Sequence, residues 1–133
     1  MKKYIRVVGA VIVNDKDEIL CAQRPEGKNL ALKWEFPGGK IEAGETPDAA
    51  LKRELMEEMQ CDILVQDKIV TTVHEYDFGV VELTTYYAEQ LSGDIRLLEH
   101  IDMKWLPRAA IDSLDWAPAD IPAIKKIKND QPK

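Results

Sequence analysis

The stretch "GGKIEAGETPDAALKRELMEEMQC", residues 38–61, places glutamates where an α-helix least welcomes them. Thr46 is a good N-cap, Pro47 suits the first helical position and Asp48 the first turn, which predicts a helix from about Pro47 to Met59. Leu51, Leu55 and Met59 recur every fourth residue and form its expected buried stripe. On such a helix Glu54, Glu57 and Glu58 stand at spacings of three and four and share one face. A like-charged pair at that spacing costs roughly 0.2–0.5 kcal/mol, and acidic charge near the C-terminus opposes the macrodipole for another ~0.3–1 kcal/mol. A solvated acidic face is the ordinary alternative. Such faces usually interleave lysine or arginine; here Arg53 reaches Glu57, but no basic residue lies three or four positions from Glu54 or Glu58. Convergent carboxylates are also the ligands a hard divalent cation needs, because Mg²⁺ prefers oxygen donors and joins a few carboxylates to phosphates and water. Gly38, Gly39 and Lys40 lie just ahead of the helix. Glycines let a backbone approach a phosphate or offer a carbonyl to a metal, though a Gly-Gly pair is more often only a turn.

Outward from this segment, Tyr4 to Val13 is rich in β-branched residues, and "NDKD" at 14–17 leads into a second run, Glu18 to Gln23, so the two read as a hairpin. Residues 25–33 read as a loop, and "WEFPGGK" at 34–40 as a short aromatic strand broken by Pro37 and the glycines. After the helix, Ile63–Tyr76 and Val80–Gln90 read as strands joined at "DFG", and "MKWL" at 103–106 as another. Arg108–Leu114 suggests a short helix, and Asp120 sits near the N-cap of a C-terminal one. Strands with a few interspersed helices argue for a mixed α/β domain, one domain over residues 1–128 followed by a polar tail at 129–133.

Composition agrees. The chain has 133 residues, 45% hydrophobic and 32% charged, the balance of a globular domain. A net charge of −6 gives no electrostatic support to nucleic-acid polymers or membrane surfaces, but an acidic protein can bind a polyphosphate through a divalent cation. Cys21 and Cys61 have no zinc-ligand spacing and read as reduced core residues. The opening "MKKYIRVVGAVIV" has lysines before an apolar run, but Arg6 interrupts it and no small-residue cleavage site follows, so a cytoplasmic protein is expected.

From Gly39 the register is G, five residues, Glu45, seven residues, Arg53–Glu54–Leu55, any residue, Glu57–Glu58. This resembles the Nudix box. The pattern departs at its end, where Gln60 takes the expected glycine and Cys61 the aliphatic position; glutamine at a C-cap of positive φ costs up to ~1 kcal/mol. The opening "KKYIRVVGAVIVND", "QRP", "WEFPGGKIEAGETP" and "APADIP" extend the likeness to MutT-type members, over almost the whole chain to about Lys128. The resemblance implies an α/β/α Nudix sandwich with a mixed β-sheet, dependence on Mg²⁺ or Mn²⁺, and hydrolysis of a nucleoside triphosphate to monophosphate and pyrophosphate by a monomer or homodimer. Carried onto these residues, Glu54, Glu57 and Glu58 would hold metal with the carbonyl of Gly38. Glu45 and Arg53 would pair to orient loop and helix, and Arg24 and Lys40 would face phosphate oxygens. Glu99, in "LLEHIDMKW", is the candidate for a further metal ligand or the base, with an exposed loop glutamate as the alternative.

Phe36, Tyr76, Phe78 and Trp116 are candidates to stack on a base, and each could equally be core. Asp120 corresponds by resemblance to a residue that contacts the base edge; an N-cap aspartate is the alternative. Ionised, it only accepts hydrogen bonds, which suits the exocyclic amine of cytosine or adenine, whereas 8-oxoguanine offers a carbonyl beside an N–H. The "EH" ahead of Trp105 and "APADIP" also look like CTP pyrophosphohydrolases of the family. CTP or dCTP, including base-modified forms, therefore ranks ahead of 8-oxo-dGTP. Other Nudix substrates and a non-catalytic binding module are the rivals. His74 and His100 carry no ligand spacing and read as incidental.

Overall fold

The structure, a computed structural model, describes residues 2–92 and 94–130. Among the described residues seven strands and two α-helices form a mixed α/β architecture: β1 (Tyr4–Ile12), β2 (Glu18–Gln23), β3 (Trp34–Glu35), β4 (Gly38–Lys40), α1 (Pro47–Met59), β5 (Asp62–Tyr76), β6 (Gly79–Ser92), β7 (Asp102–Pro107) and α2 (Ile121–Asn129). The short helix expected after β7 is a 3₁₀ turn over Arg108–Ser113. Residues 131–133 of the expected tail lie outside the described residues.

The strands make two sheets rather than one. A four-stranded sheet runs β4-β1-β6-β5 and is mixed, with β1 parallel to β6 and antiparallel to β4; a three-stranded antiparallel sheet runs β3-β2-β7. This corrects the expected hairpin. The turn after β1 forms as anticipated, Asn14 Oδ1 accepting from the N–H groups of Lys16 and Glu18, yet β1 and β2 enter different sheets, and the ladder between the two segments is reduced to an isolated bridge between Val13, just past β1, and Ile19. Alternation explains why. Val8, Ala10 and Ile12 of β1 pack with Leu20 and Ala22 toward Leu51, Leu55 and Met59 of α1, while Val11 packs with Ile19 and Cys21 toward Ile124 and Ile127 of α2. A strand apolar on both faces must be covered on both, and the helices on either side give the α/β/α layering that the resemblance implies. Both cysteines are buried and unpaired, and burial pushes the Cys21 thiol up to about 12. Among the described residues no helix is long and apolar enough to cross a membrane.

The main helix has the expected ends. Thr46 Oγ1 accepts from the Ala49 N–H at 3.3 Å, and Gln60 closes the helix in the left-handed region at φ 52° and ψ 37°, its N–H bonded to the carbonyl of Met56. Residues 34–40 then connect the sheets, leaving β2 through β3 and joining β1 through β4, where Gly9 pairs with Gly38. A cleft of about 830 Å³ opens along this crossing.

Candidate active site

The glycines ahead of α1 are required by crowding rather than by unusual dihedrals. A Cβ on Gly38 would fall 1.9 Å from the Val8 carbonyl oxygen, and one on Gly39 would fall 2.2 Å from Glu54 Oε2. The bare backbone thus lets β4 lie against β1 on one side and the α1 carboxylates on the other.

Arg53 organises the exposed side of this arrangement. Its Nε and Nη2 donate to Glu45 at 2.7 and 2.8 Å, Nη2 also reaches the Lys40 carbonyl at 3.0 Å, and Nη1 reaches Glu54 at 2.8 Å and Glu57 at 3.2 Å. The bidentate grip ties the loop before the helix to its second turn and holds the Glu45 carboxyl down to about 2. Spacing of three and four residues does not reach the Glu54 contact, because it takes a guanidinium long enough to turn back on its immediate neighbour.

Glu58 occupies the opposite environment. It is 9% exposed, and Oε1 accepts the Gly38 N–H at 3.1 Å. Burial, followed by the charges of Glu35, Glu54 and Glu99, pushes its carboxyl up to about 9, and Glu99 also hydrogen-bonds to it. Burial raises Glu54 as well, although Arg53 pulls the other way. Glu35, Glu54, Glu58 and Glu99 all line the cleft; Glu57, its side chain 58% exposed, turns to Arg53 and is not among the lining residues. Among the described residues no three acidic, histidine or cysteine groups are already drawn around one point at ligand distance. The donors are nonetheless all oxygens, and their mutual repulsion with burial is the imbalance that a hard divalent cation would relieve. The residues present fit such an ion.

Cations line the same cleft: Arg24, Lys40 and Lys28, the last not singled out from sequence. Arg24 is committed, with Nη1 on Glu35 Oε1 at 3.0 Å and Nε on the Asn29 carbonyl at 2.8 Å. Glu35 takes a second hydrogen bond from His100, so the reading of His100 as incidental is corrected: its side chain is buried and its Nε2 lies 2.9 Å from Glu35 Oε2. No spacing rule links residues so far apart in sequence; the available signal was an acidic residue between Trp34 and Phe36 in a short strand.

Asp120 lines the same cleft. It is 5% exposed and, despite its position, makes no capping hydrogen bond to α2; Oδ1 instead accepts the Phe36 N–H at 3.2 Å. Burial, then the Glu35 charge, raises its carboxyl well above the usual aspartate range. Tyr76 and Phe78 line the cleft with rings stacked 5.0 Å apart, and the Tyr76 hydroxyl accepts from the Ala119 N–H. Phe36 borders the cleft but is core on its far side, packed at 4.8 Å against Trp116, which is buried behind it and outside the lining.

Comparison with known proteins agrees with this architecture. The family model described as NUDIX domain matches residues 3–127. The 8-oxo-dGTP diphosphatase of Haemophilus influenzae is 34% identical over 129 residues, 97% of this chain and 95% of that protein. The CTP pyrophosphohydrolase of Escherichia coli K12 is 34% identical over 123 residues, 92% of this chain and 90% of that protein. Among solved structures, DNA mismatch repair protein MutT (family Nudix hydrolase) from methicillin-resistant Staphylococcus aureus 252 is 55% identical, with a TM-score of 0.78 and coverage of 96% of this chain and 98% of that one.

Proposed function

This chain belongs to the NUDIX domain family and is a nucleotide pyrophosphohydrolase; from that premise we propose that it hydrolyses nucleoside triphosphates to monophosphate and pyrophosphate, with CTP or dCTP, including base-modified forms, preferred. The observation that carries the proposal is a single cleft that holds the Glu54, Glu58 and Glu99 carboxylates, the Arg24, Lys28 and Lys40 cations, and buried Asp120 beside the Tyr76–Phe78 stack.

Glu54 and Glu58, with the Gly38 carbonyl and Glu57 once released from Arg53, would hold Mg²⁺ or Mn²⁺. The bound ion would offset the charge of the phosphate chain and acidify a water. The chain's own residues do the rest. Arg53 and Glu45 keep the helix and the preceding loop in register, so that the acidic groups meet the phosphates in one geometry. Lys40 and Lys28 offer positive charge to phosphate oxygens. Glu99, hydrogen-bonded to Glu58, accepts the proton of the attacking water. Tyr76 and Phe78 stack on the base.

Asp120 reads the base edge, and its protonation decides how. As a carboxylate it accepts from the cytosine amine. As a neutral acid, the form its burial favours, it also donates, and cytosine still matches through N3 beside the amine. The second reading, 8-oxo-dGTP, is favoured by this same burial: a neutral acid meets the adjoining carbonyl and N–H of the oxidised base. Ionised Asp120 can also accept the N–H of 8-oxoguanine alone, so either base is served in either state, and cytosine nucleotides are placed first on the likeness of "EH" and "APADIP" to CTP pyrophosphohydrolases. Catalytic efficiency on CTP, dCTP, dATP and 8-oxo-dGTP with Mg²⁺, with products identified, tests the assignment. The cytosine nucleotides are expected to lead; strong selectivity for 8-oxo-dGTP would transfer it to the second reading.

A further inference from the structure

His100 is an odd residue to bury. Its side chain is 2% exposed, and its Nδ1 is a buried polar atom with no hydrogen-bond partner among the described residues. A ring that only filled space here would be better made of carbon, because an unmet polar nitrogen costs stability that an apolar ring avoids. The other nitrogen must therefore account for the residue. With a carboxylate as acceptor, Nε2 is the donor of that hydrogen bond.

The partner of that proton is Glu35, which connects to the rim of the cleft. Its Oε2 meets His100 and its Oε1 meets Arg24, so both oxygens are pinned from opposite sides. Arg24 passes the constraint on. Its Nε donates to the Asn29 carbonyl, and its backbone N–H and carbonyl bond to Lys33 and Leu32 at 2.9 and 3.1 Å. Gly27, Lys28, Asn29 and Leu30, which follow Arg24, line the cleft. A chain of hydrogen bonds thus runs from a buried imidazole through a carboxylate and a guanidinium to the loop that faces the ligand.

We propose that His100 is a positioning residue for nucleotide binding, which holds Glu35 in place so that Arg24 and the 25–33 loop keep a fixed wall along the cleft. The role rests on the proposed reading of the cleft as a nucleoside triphosphate site. Since the loop meets ligand rather than the reacting phosphorus, loss of the constraint falls on KM, and kcat, which depends on the neighbouring Glu99, stays nearly unchanged.

Side-chain geometry supplies the test. Glutamine can place an amide N–H where Nε2 lies, asparagine reaches only the Nδ1 position, and phenylalanine fills the ring volume without a donor. With CTP and Mg²⁺, His100→Phe and His100→Asn are expected to raise KM about 10-fold with kcat within about 2-fold, and His100→Gln to stay within about 2-fold of wild type on both. Phenylalanine removes the unmet nitrogen but also the donor to Glu35 Oε2, so a thermal melt that shows each variant folded at the assay temperature is read beside its KM, which separates lost positioning from lost structure. A wild-type KM in His100→Phe, a His100→Gln variant as impaired as His100→Phe, or a defect confined to kcat would overturn the role of His100 while leaving the proposed function intact. A wild-type enzyme that turns over none of the four nucleotides would instead overturn the proposed function and this role together.

Discussion

Replacing Glu58 by glutamine should make the metal-free protein more stable while removing its activity. The Glu58 carboxyl titrates at about 9 in the fold against 4.5 for an unhindered glutamate, because burial and the charges of Glu35, Glu54 and Glu99 all penalise its ionised form. The sign follows. Below pH 4.5 the group is protonated in both folded and unfolded chains and costs nothing; between 4.5 and 9 the unfolded chain releases a proton that the fold retains, so stability falls as pH rises. At about 1.4 kcal/mol per pH unit, the fold forfeits about 3 kcal/mol by pH 7. Glutamine does not titrate, its amide oxygen can accept the Gly38 N–H, and its amide hydrogens face the acidic neighbours. In EDTA at pH 7, Glu58→Gln should therefore melt about 10 °C above wild type, with the gap closing toward pH 4.5. Mg²⁺ with nucleotide should raise the melting temperature of wild type alone, and pyrophosphate release by the variant should be lost. Parallel melting temperatures from pH 4.5 to 8.5, or wild-type turnover in the variant, would refute the reasoning.

The two glycines should separate packing from chemistry. Gly38→Ala drives a methyl into the Val8 carbonyl oxygen and should cost ~1–3 kcal/mol by thermal melting, whereas Gly39→Ala collides with the movable Glu54 carboxylate and should reduce turnover with little change in melting temperature. Gln60→Gly relieves an exposed left-handed residue and should stabilise by ~0.5–1 kcal/mol in urea titrations without altering activity. Glu45 titrates at about 2, held below 4.5 by Arg53, so its contribution is present above pH 4.5 and is lost as pH falls toward 2. Glu45→Gln should flatten the acid limb of the stability profile in that window, as urea midpoints between pH 2 and 6 would show. Asp120→Asn keeps both a donor and an acceptor but fixes them at every pH, and should remove any pH dependence of the CTP to 8-oxo-dGTP efficiency ratio between pH 6 and 9.

These expectations depend on local and distant features that were not equally legible in the sequence. The helix was readable because its signals act over a turn or less: Thr46 caps it, Pro47 starts it, and Leu51, Leu55 and Met59 are buried as their period demands. The left-handed end at Gln60 followed from the register of a motif that normally has glycine there. Distant relations were opaque. Nothing between residues 14 and 17 says that β1 and β2 part into different sheets, because a turn fixes a reversal but not the partner of each strand. Asp120 carried two readings, and only the fold, by bringing the Phe36 N–H to its carboxylate, turned it from the helix end toward the cleft.

The acidic face shows how the local and distant parts combine. Viewed along the helix, Glu54, Glu57 and Glu58 were equivalent members of one repulsive patch. In the fold they differ, since Arg53 shares itself between Glu54 and Glu57 while Glu58 turns inward among other carboxylates. Helical spacing determines which residues share a face, but the penalty each charge bears comes from groups that sequence spacing does not reach, here Glu35 and Glu99. A stability-driven choice would neutralise Glu58 first. That the most heavily penalised of these three carboxylates lies in the cleft with Arg24, Lys28 and Lys40, rather than out on the solvated face, is the physical reason to propose it as a metal ligand.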